Sequence, residues 1–147
     1  MNFRDIAAEC PGFQARATAR AITRFFNLRF KPLDLTAEQF SLLIGIEIAQ
    51  GTTIADLAAE SGVAATTLSR NIQNLEQRKL VCGIGAGRRG KRLALTAKGR
   101  GLLGKAVPLW TQAYRELTAA LGQDGLRTAN GAMRRLAHAA VDQPMRR

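Results

Sequence analysis

Ile54 to Val81, reading IADLAAESGVAATTLSRNIQNLEQRKLV, holds two short amphipathic segments that meet at a glycine. Thr52 and Thr53 precede the first as candidate N-caps. Ile54, Leu57 and Ala58 then fall at i, i+3 and i+4, the apolar stripe of a short helix packed inward. Gly62 supplies the break, because glycine adopts a positive φ at least cost, and Val63 is expected to turn inward behind it as an apolar plug. In the second segment, at about 100° per residue, Leu68, Ile72 and Leu75 define a buried side. The outer side then presents Thr66, Arg70, Gln73, Asn74 and Gln77, flanked by Thr67, Ser69, Asn71 and Arg78. Between Ala64 and Lys79 the one acid is Glu76. An ordinary solvated face mixes Glu with Lys. This one carries the groups that base edges need: arginine for guanine O6 and N7, Asn or Gln for adenine N6 and N7, and hydroxyls for phosphates or bases. The stretch reads as a helix-turn-helix whose second helix is a recognition helix.

The charge supports that reading by its placement. The 147 residues carry a net charge of +11, and from Ser61 to Lys105 there are ten Lys or Arg against one acid. A basic stripe of this kind suits a polyanion. A membrane-surface helix would set its charge beside a strong apolar face, and none surrounds Arg88. With 46% hydrophobic but 5% aromatic residues and few β-branched ones, the composition favours a mainly helical chain of one domain with helical extensions. Cys10, Cys82 and His138 lie far apart, without metal-ligand spacing, so neither metal nor cofactor is expected. The longest apolar run, Leu42 to Ile46, ends at Glu47, and Arg4, Asp5 and Glu9 precede any stretch that could direct export. A cytoplasmic protein with reduced thiols and no membrane partner is expected.

Upstream, Pro11-Gly12 opens a helix through Phe13, Ala17, Ala21, Phe25, Leu28 and Phe30, with Arg16, Arg20 and Arg24 in line along it. Lys31 to Leu35 breaks it. Thr36 and Gln39 fit a capping box, and the helix they open runs through Phe40, Leu43 and Ile44 toward Gly51. Downstream, Leu80-Val81-Cys82 and Arg92 to Thr96 read as the strands of a β-hairpin, with the glycine-rich stretch Gly83 to Lys91 as a mobile tip. Thr96 resembles the N-cap of a long helix through Leu103, Trp110, Tyr114 and Leu121, bent at Pro108. Gly122 closes it. A last helix runs from Leu126 to Val141, followed by a frayed Pro144, Arg146 and Arg147.

Within the hairpin, Gly85-x-Gly87-x-x-Gly90 has the letters of a dinucleotide-binding fingerprint. Such a fingerprint opens a helix and places an acid about 20 residues on, whereas here a strand follows and the next acid is Glu116. Arg88, Arg89, Lys91 and Arg92 at a hairpin tip suit phosphates or a narrow minor groove instead. No catalytic set emerges: the single histidine lacks a nucleophile motif, carboxylates are sparse, and no phosphate-cradling loop is present, so no enzyme activity is expected.

These elements together resemble the MarR family of winged-helix regulators. The matching segments are Leu35-Thr36-Ala37-Glu38-Gln39-Phe40 with Leu42-Leu43, Leu57-Ala58 to Gly62-Val63, Thr67-Leu68-Ser69-Arg70, Leu75-Glu76, Leu80-Val81, and Leu93-Ala94-Leu95-Thr96-Ala97-Lys98-Gly99. The resemblance implies a mainly α fold with a small β-hairpin wing. It divides the chain into an N-terminal dimerisation helix and linker (1–35), a winged helix-turn-helix domain (36–97) and C-terminal dimerisation helices (98–147). The family's wing usually carries Asp-Arg-Arg where this chain has Gly87-Arg88-Arg89, which implies a looser hairpin here. A homodimer is further implied, and Phe13, Phe25, Phe26, Trp110, Met133 and Leu136 on the long terminal helices need a cover that the chain itself scarcely offers.

The expected function is sequence-specific binding of double-stranded DNA by a homodimeric repressor of bacterial or archaeal type. Its pseudo-palindromic operator would have half-sites about 10 bp apart, and a small-molecule effector would release it. Arg70 leads base reading; Thr66, Thr67, Ser69, Gln73, Asn74 and Arg78 share recognition; Arg88, Arg89 and Lys91 hold phosphate or minor groove. The resemblance places an effector, an aromatic acid or its CoA thioester, between the winged domain and the dimer helices, where Arg16, Arg20, Arg24 and Trp110 are candidates. Two alternatives stand beside this. Some family members carry a peroxide-sensing thiol near the position of Cys10, although a lone cysteine is more often a small buried hydrophobe. A constitutive, sequence-indifferent architectural binder would use the charge alone.

Overall fold

The computed structural model describes residues 2–143; the expected fraying of Pro144, Arg146 and Arg147 lies outside the described residues. The chain divides into two compact units, 1–109 and 110–147.

The first unit opens with a helix that the apolar spacing did not suggest. α1 (Phe3–Glu9) buries nothing, and it forms because Asn2 caps it. The Asn2 carboxamide oxygen accepts from the amides of Arg4 and Asp5, and the Asp5 carboxylate takes the Asn2 amide at 3.1 Å. Cys10 separates it from α2 (Pro11–Phe30), which starts at the expected proline. A 3₁₀ turn (Lys31–Leu33) ends in Asp34, at φ 50°, and this reverses the chain into α3 (Ala37–Ile48). The capping box at its start is present in full, with the Gln39 amide on Thr36 Oγ1 and the Thr36 amide on Gln39 Oε1, each at 3.1 Å. Asn27 adds a third tie, accepting the Ala37 amide at 2.7 Å.

α4 (Ile54–Ser61) is capped by Thr53 and ends in Gly62 at φ 67°, the left-handed cap expected of glycine there. α5 (Ala65–Gln77) buries Leu68, Ile72 and Leu75, the three positions the helical wheel selects. Val63 departs from expectation. It is 40% exposed rather than a plug, while Leu57 and Leu68 on either side of the turn are buried, and its amide donates to Ser61 Oγ at 3.4 Å.

β1 (Val81–Gly87) and β2 (Gly90–Leu95) pair antiparallel, with a register shift between Gly83 and Ala86 where Gly85 sits at φ 135°. The glycine-rich stretch is therefore mostly strand, with Gly83 opposite Leu93 and Gly87 opposite Gly90 across the ladder. Only Arg88 and Arg89 remain as the turn. Thr52 bridges the other edge of β2 at Leu93, fixing the hairpin's base beside the start of α4. Phe30, Phe40, Leu43, Ile46, Ile72, Leu75, Leu80 and Leu93 fill one core under these elements. Phe30 stacks between Phe26 and Phe40, with centroids 5.9 and 4.6 Å away.

α6 (Ala97–Leu121) is helical through Pro108, and its Leu103 and Ala106 join that core. The second unit holds the end of α6 and α7 (Gln123–Val141), for which Gly122, at φ 74°, is the N-cap. Trp110 and Tyr114 stack at 5.2 Å. Ala113 and Leu126 are buried, whereas Met133 and Leu136 are about half exposed.

Candidate nucleic-acid interface

Burying Leu68, Ile72 and Leu75 leaves the opposite face of α5 no choice. Thr66, Thr67, Arg70, Gln73, Asn74 and Gln77 are exposed, and Ser69, Asn71 and Arg78 are half-buried on its flanks. Ala64 at the N-cap makes no side-chain cap bond, so the first amides of α5 face solvent without a capping oxygen. Arg70 makes no ion pair among the described residues. Its guanidinium, with five donors in a rigid fork, stands free on the helix surface.

The remaining cations are less free. Arg78 faces Asp34 at 3.8 Å, a pair weakened by an Asp34 side chain fully in water. Arg89 donates to Asp56 on α4 at 2.7 Å, and Lys91 pairs with Glu76 on α5. The wing lacks the acid expected at position 87, yet carboxylates from two neighbouring helices hold it. Arg88 alone of the turn pair makes no ion pair among the described residues. Arg92 bends back to the Gly51 carbonyl at 3.3 Å.

Asp56 completes this anchor. The Thr53 hydroxyl donates to its carboxylate at 2.9 Å, and that bond, with the Arg89 guanidinium beside it, holds the Asp56 carboxyl below its ordinary range. A depressed carboxyl stabilises the fold fully above its unfolded value, about 3.9, and loses that contribution as pH falls through the depressed one. Thermal melts from pH 6 down to pH 2 should therefore show a smaller acid-induced loss for Asp56→Asn than for the wild-type chain; identical pH profiles would show that the anchor adds nothing.

Asn74 is the residue whose surroundings the sequence did not reveal. Its Oδ1 accepts from Gln39 Nε2 at 3.0 Å, across 35 positions of sequence. Gln39 and Asn74 line a cleft of about 330 Å³ with Lys31, Asp34, Leu35 and Arg78, and with Asn27 and Thr36 at its α2–α3 side. The other end of α5 is fixed by α6. The Thr96 hydroxyl donates to the Lys79 carbonyl at 2.6 Å, and Lys98 Nζ donates to the Arg78 carbonyl at 2.9 Å.

Arg16, Arg20 and Arg24 are exposed along α2, and Trp110 is 38% exposed on α6. Cys10 and Cys82 are free, half-buried thiols. Among the described residues no cluster of metal-ligating side chains occurs, and no helix is long and apolar enough to cross a membrane.

A sequence profile of the MarR family matches residues 33–90, from the 3₁₀ turn to the wing. The crystal structure of the M. tuberculosis transcriptional regulator MosR is 37% identical, with a TM-score of 0.77 over 90% of this chain and 98% of that one. This chain belongs to the MarR family. MosR in complex with DNA is 38% identical at a TM-score of 0.75, again over 90% and 98%. A mutant E. coli MarR complexed with operator DNA, 24% identical over 92% and 99%, shows the shared fold at a TM-score of 0.80. No match is found among the curated proteins. The MarR fold accounts for the mainly helical architecture and the two-stranded wing.

Proposed function

We propose that this MarR-family chain is a sequence-specific DNA-binding transcriptional regulator that works as a homodimeric repressor. The observation that carries the proposal is the outer face of α5, where Arg70, Gln73, Thr66 and Thr67 are exposed while the inner face is locked into the core. A helix so presented fits the major groove, with Arg70 on a guanine edge and the hydroxyls on phosphate or base. Arg88, Arg89 and Lys91 would follow the backbone or minor groove, Arg89 and Lys91 exchanging their carboxylates for phosphates. The DNA complex of the 38% identical MosR supports this reading.

Dimerisation accounts for the terminal helices, assigned here to residues 1–35 and 98–147 on either side of a DNA-binding domain at 36–97. Phe3 is 90% exposed, and Phe13, Tyr114, Met133 and Leu136 are each between 41% and 50% exposed. Such side chains on long helices call for a second subunit. Phe25 and Phe26 need it less, since they pack on each other edge to face and Phe26 also packs on the core. Two recognition helices then meet half-sites about 10 bp apart, and bound protein would block a promoter. An aromatic acid or its CoA thioester is the effector class in this proposal, with Arg16, Arg20, Arg24 and Trp110 as the residues to substitute first.

Competition tests the proposal against an architectural binder using charge alone. A labelled duplex from the region upstream of the chain's own gene is titrated, then challenged with unlabelled specific or random duplex at physiological salt. The specific competitor should win by about 10³-fold or more. Equal competition, with a steep salt dependence, would contradict sequence-specific binding.

A further inference from the structure

We infer that Gln39, a buried residue outside the recognition helix, fixes the hydrogen-bonding polarity of Asn74 and thereby which bases Asn74 can read; the inference rests on α5 lying in the major groove as proposed above. A carboxamide has an accepting end and a donating end, and a half-turn about its last bond exchanges them. What surrounds the amide decides which end points where.

The chain of constraint begins at a backbone group. The Thr36 amide can only donate, and it lies 3.1 Å from one end of Gln39, so that end is Oε1. The other end is then Nε2, which can only donate, and it lies 3.0 Å from Asn74. The Asn74 atom facing it is accordingly Oδ1. A flip of Gln39 would set its Nε2 hydrogens against the Thr36 amide. With Gln39 only 8% exposed, little water is available to relieve two opposed donors. The capping box of α3 therefore orients a side chain on α5.

The consequence is chemical. Reading adenine with asparagine uses both ends of the amide, the oxygen taking N6–H and the nitrogen giving to N7. Here the oxygen is turned toward the protein, and Nδ2 with its hydrogens is left for the groove. Asn74 is thus a donor, matched to guanine O6 or N7, to thymine O4 or to adenine N7. It is mismatched to amino groups, and cytosine, which offers the major groove a donor and no acceptor, is the base it rejects. The two-ended contact with adenine that asparagine would suggest from sequence is reduced to a single bond. Gln73, exposed and without a partner among the described residues, keeps both ends available.

Gln39→Glu reverses the polarity while keeping the capping box, since glutamate serves at the same position. One carboxylate oxygen still accepts the Thr36 amide. The other offers Asn74 an acceptor, so the Asn74 amide must turn its nitrogen inward and its oxygen to the groove. Lys31, Arg78 and Asp34 line the same cleft, two cations against one acid that already faces Arg78, and the positive balance favours the ionised carboxylate.

The test selects preferred duplexes from a randomised pool and measures relative affinities at each position. It uses the wild-type chain, Asn74→Ala, Gln39→Glu, and the two substitutions combined. The wild type should favour guanine or thymine over cytosine at one position of each half-site by about 2- to 10-fold, a preference that Asn74→Ala erases. Gln39→Glu should move that preference toward cytosine, and should have no such effect when Asn74 is already alanine. Gln39→Met, which lets the amide rotate, should relax the preference, and provides the readout should the glutamate variant fold poorly. An unchanged preference in both Gln39 variants, where Asn74→Ala erases it, would overturn the relay and leave base reading by α5 standing. The same shift in the Asn74→Ala background would also overturn it, because Gln39 would then act by another route. If neither Asn74→Ala nor Arg70→Ala alters any position, α5 does not read bases and both proposals fall.

Discussion

Gly99→Ala is expected to destabilise the fold by about 1–3 kcal/mol, the usual cost of overpacking a tight site, although alanine ordinarily gains about 1 kcal/mol over glycine inside a helix. The position is buried, and a Cβ there would run into the Leu80 carbonyl, a backbone group that cannot swing aside as a side-chain tip can. That carbonyl is already engaged: it accepts the Thr96 amide at 3.0 Å, and the Thr96 hydroxyl lies 3.3 Å from it. Relief would require the first turn of α6 to lift away from the link between α5 and β1, breaking the Thr96 and Lys98 bonds that hold the end of α5. The melting temperature should fall by about 2–4 °C per kcal/mol for a chain of this size. Gly101→Ala and Gly104→Ala are the controls, since nothing lies within 4 Å of a Cβ at either position. Both should raise stability slightly. A Gly99→Ala melt at or above the wild-type temperature would show that α6 does not press on α5 as described.

What the sequence disclosed and what it concealed divide by the range of the interaction. Thr36 with Gln39, Thr53, Gly62, Thr96 and the Leu68, Ile72, Leu75 stripe are local signals, each acting within about one turn of helix, and the structure reproduces them. α1 was equally local but written in Asn2 and Asp5 rather than in an apolar stripe, so periodicity passed over it. Val63 shows the limit of the pattern: an apolar residue after a glycine turn is not thereby an inward one, and this one stays 40% exposed while Leu57 and Leu68 on either side are buried. The partners of the candidate interface are long-range. Asp56 reaches Arg89 across 33 positions, and Gln39 reaches Asn74 across 35. No spacing rule could announce them. A sequence can propose which face of α5 looks outward, but which of its groups are already spoken for depends on what folding brings beside them.

Arg70→Ala is expected to have the largest effect on DNA binding. Arg70 is exposed, makes no ion pair among the described residues, and is carried by a helix whose opposite face is fully committed to the core. A bidentate arginine on guanine is worth about 1–3 kcal/mol of discrimination. In a homodimer the loss occurs at two well-separated half-sites and adds, so even the low end, about 2 kcal/mol, is about 30-fold. Folding should be untouched, because an exposed side chain without partners leaves nothing broken behind it. A phosphate-contacting cation behaves differently: its loss weakens every sequence alike and flattens the salt dependence. The deciding measurement is a titration of wild-type and Arg70→Ala protein against the preferred duplex and a random duplex of equal length at fixed salt. Affinity for the preferred duplex should fall by about 30-fold or more with random-duplex affinity changed far less; an equal fall on both, or none on either, would contradict base reading by α5.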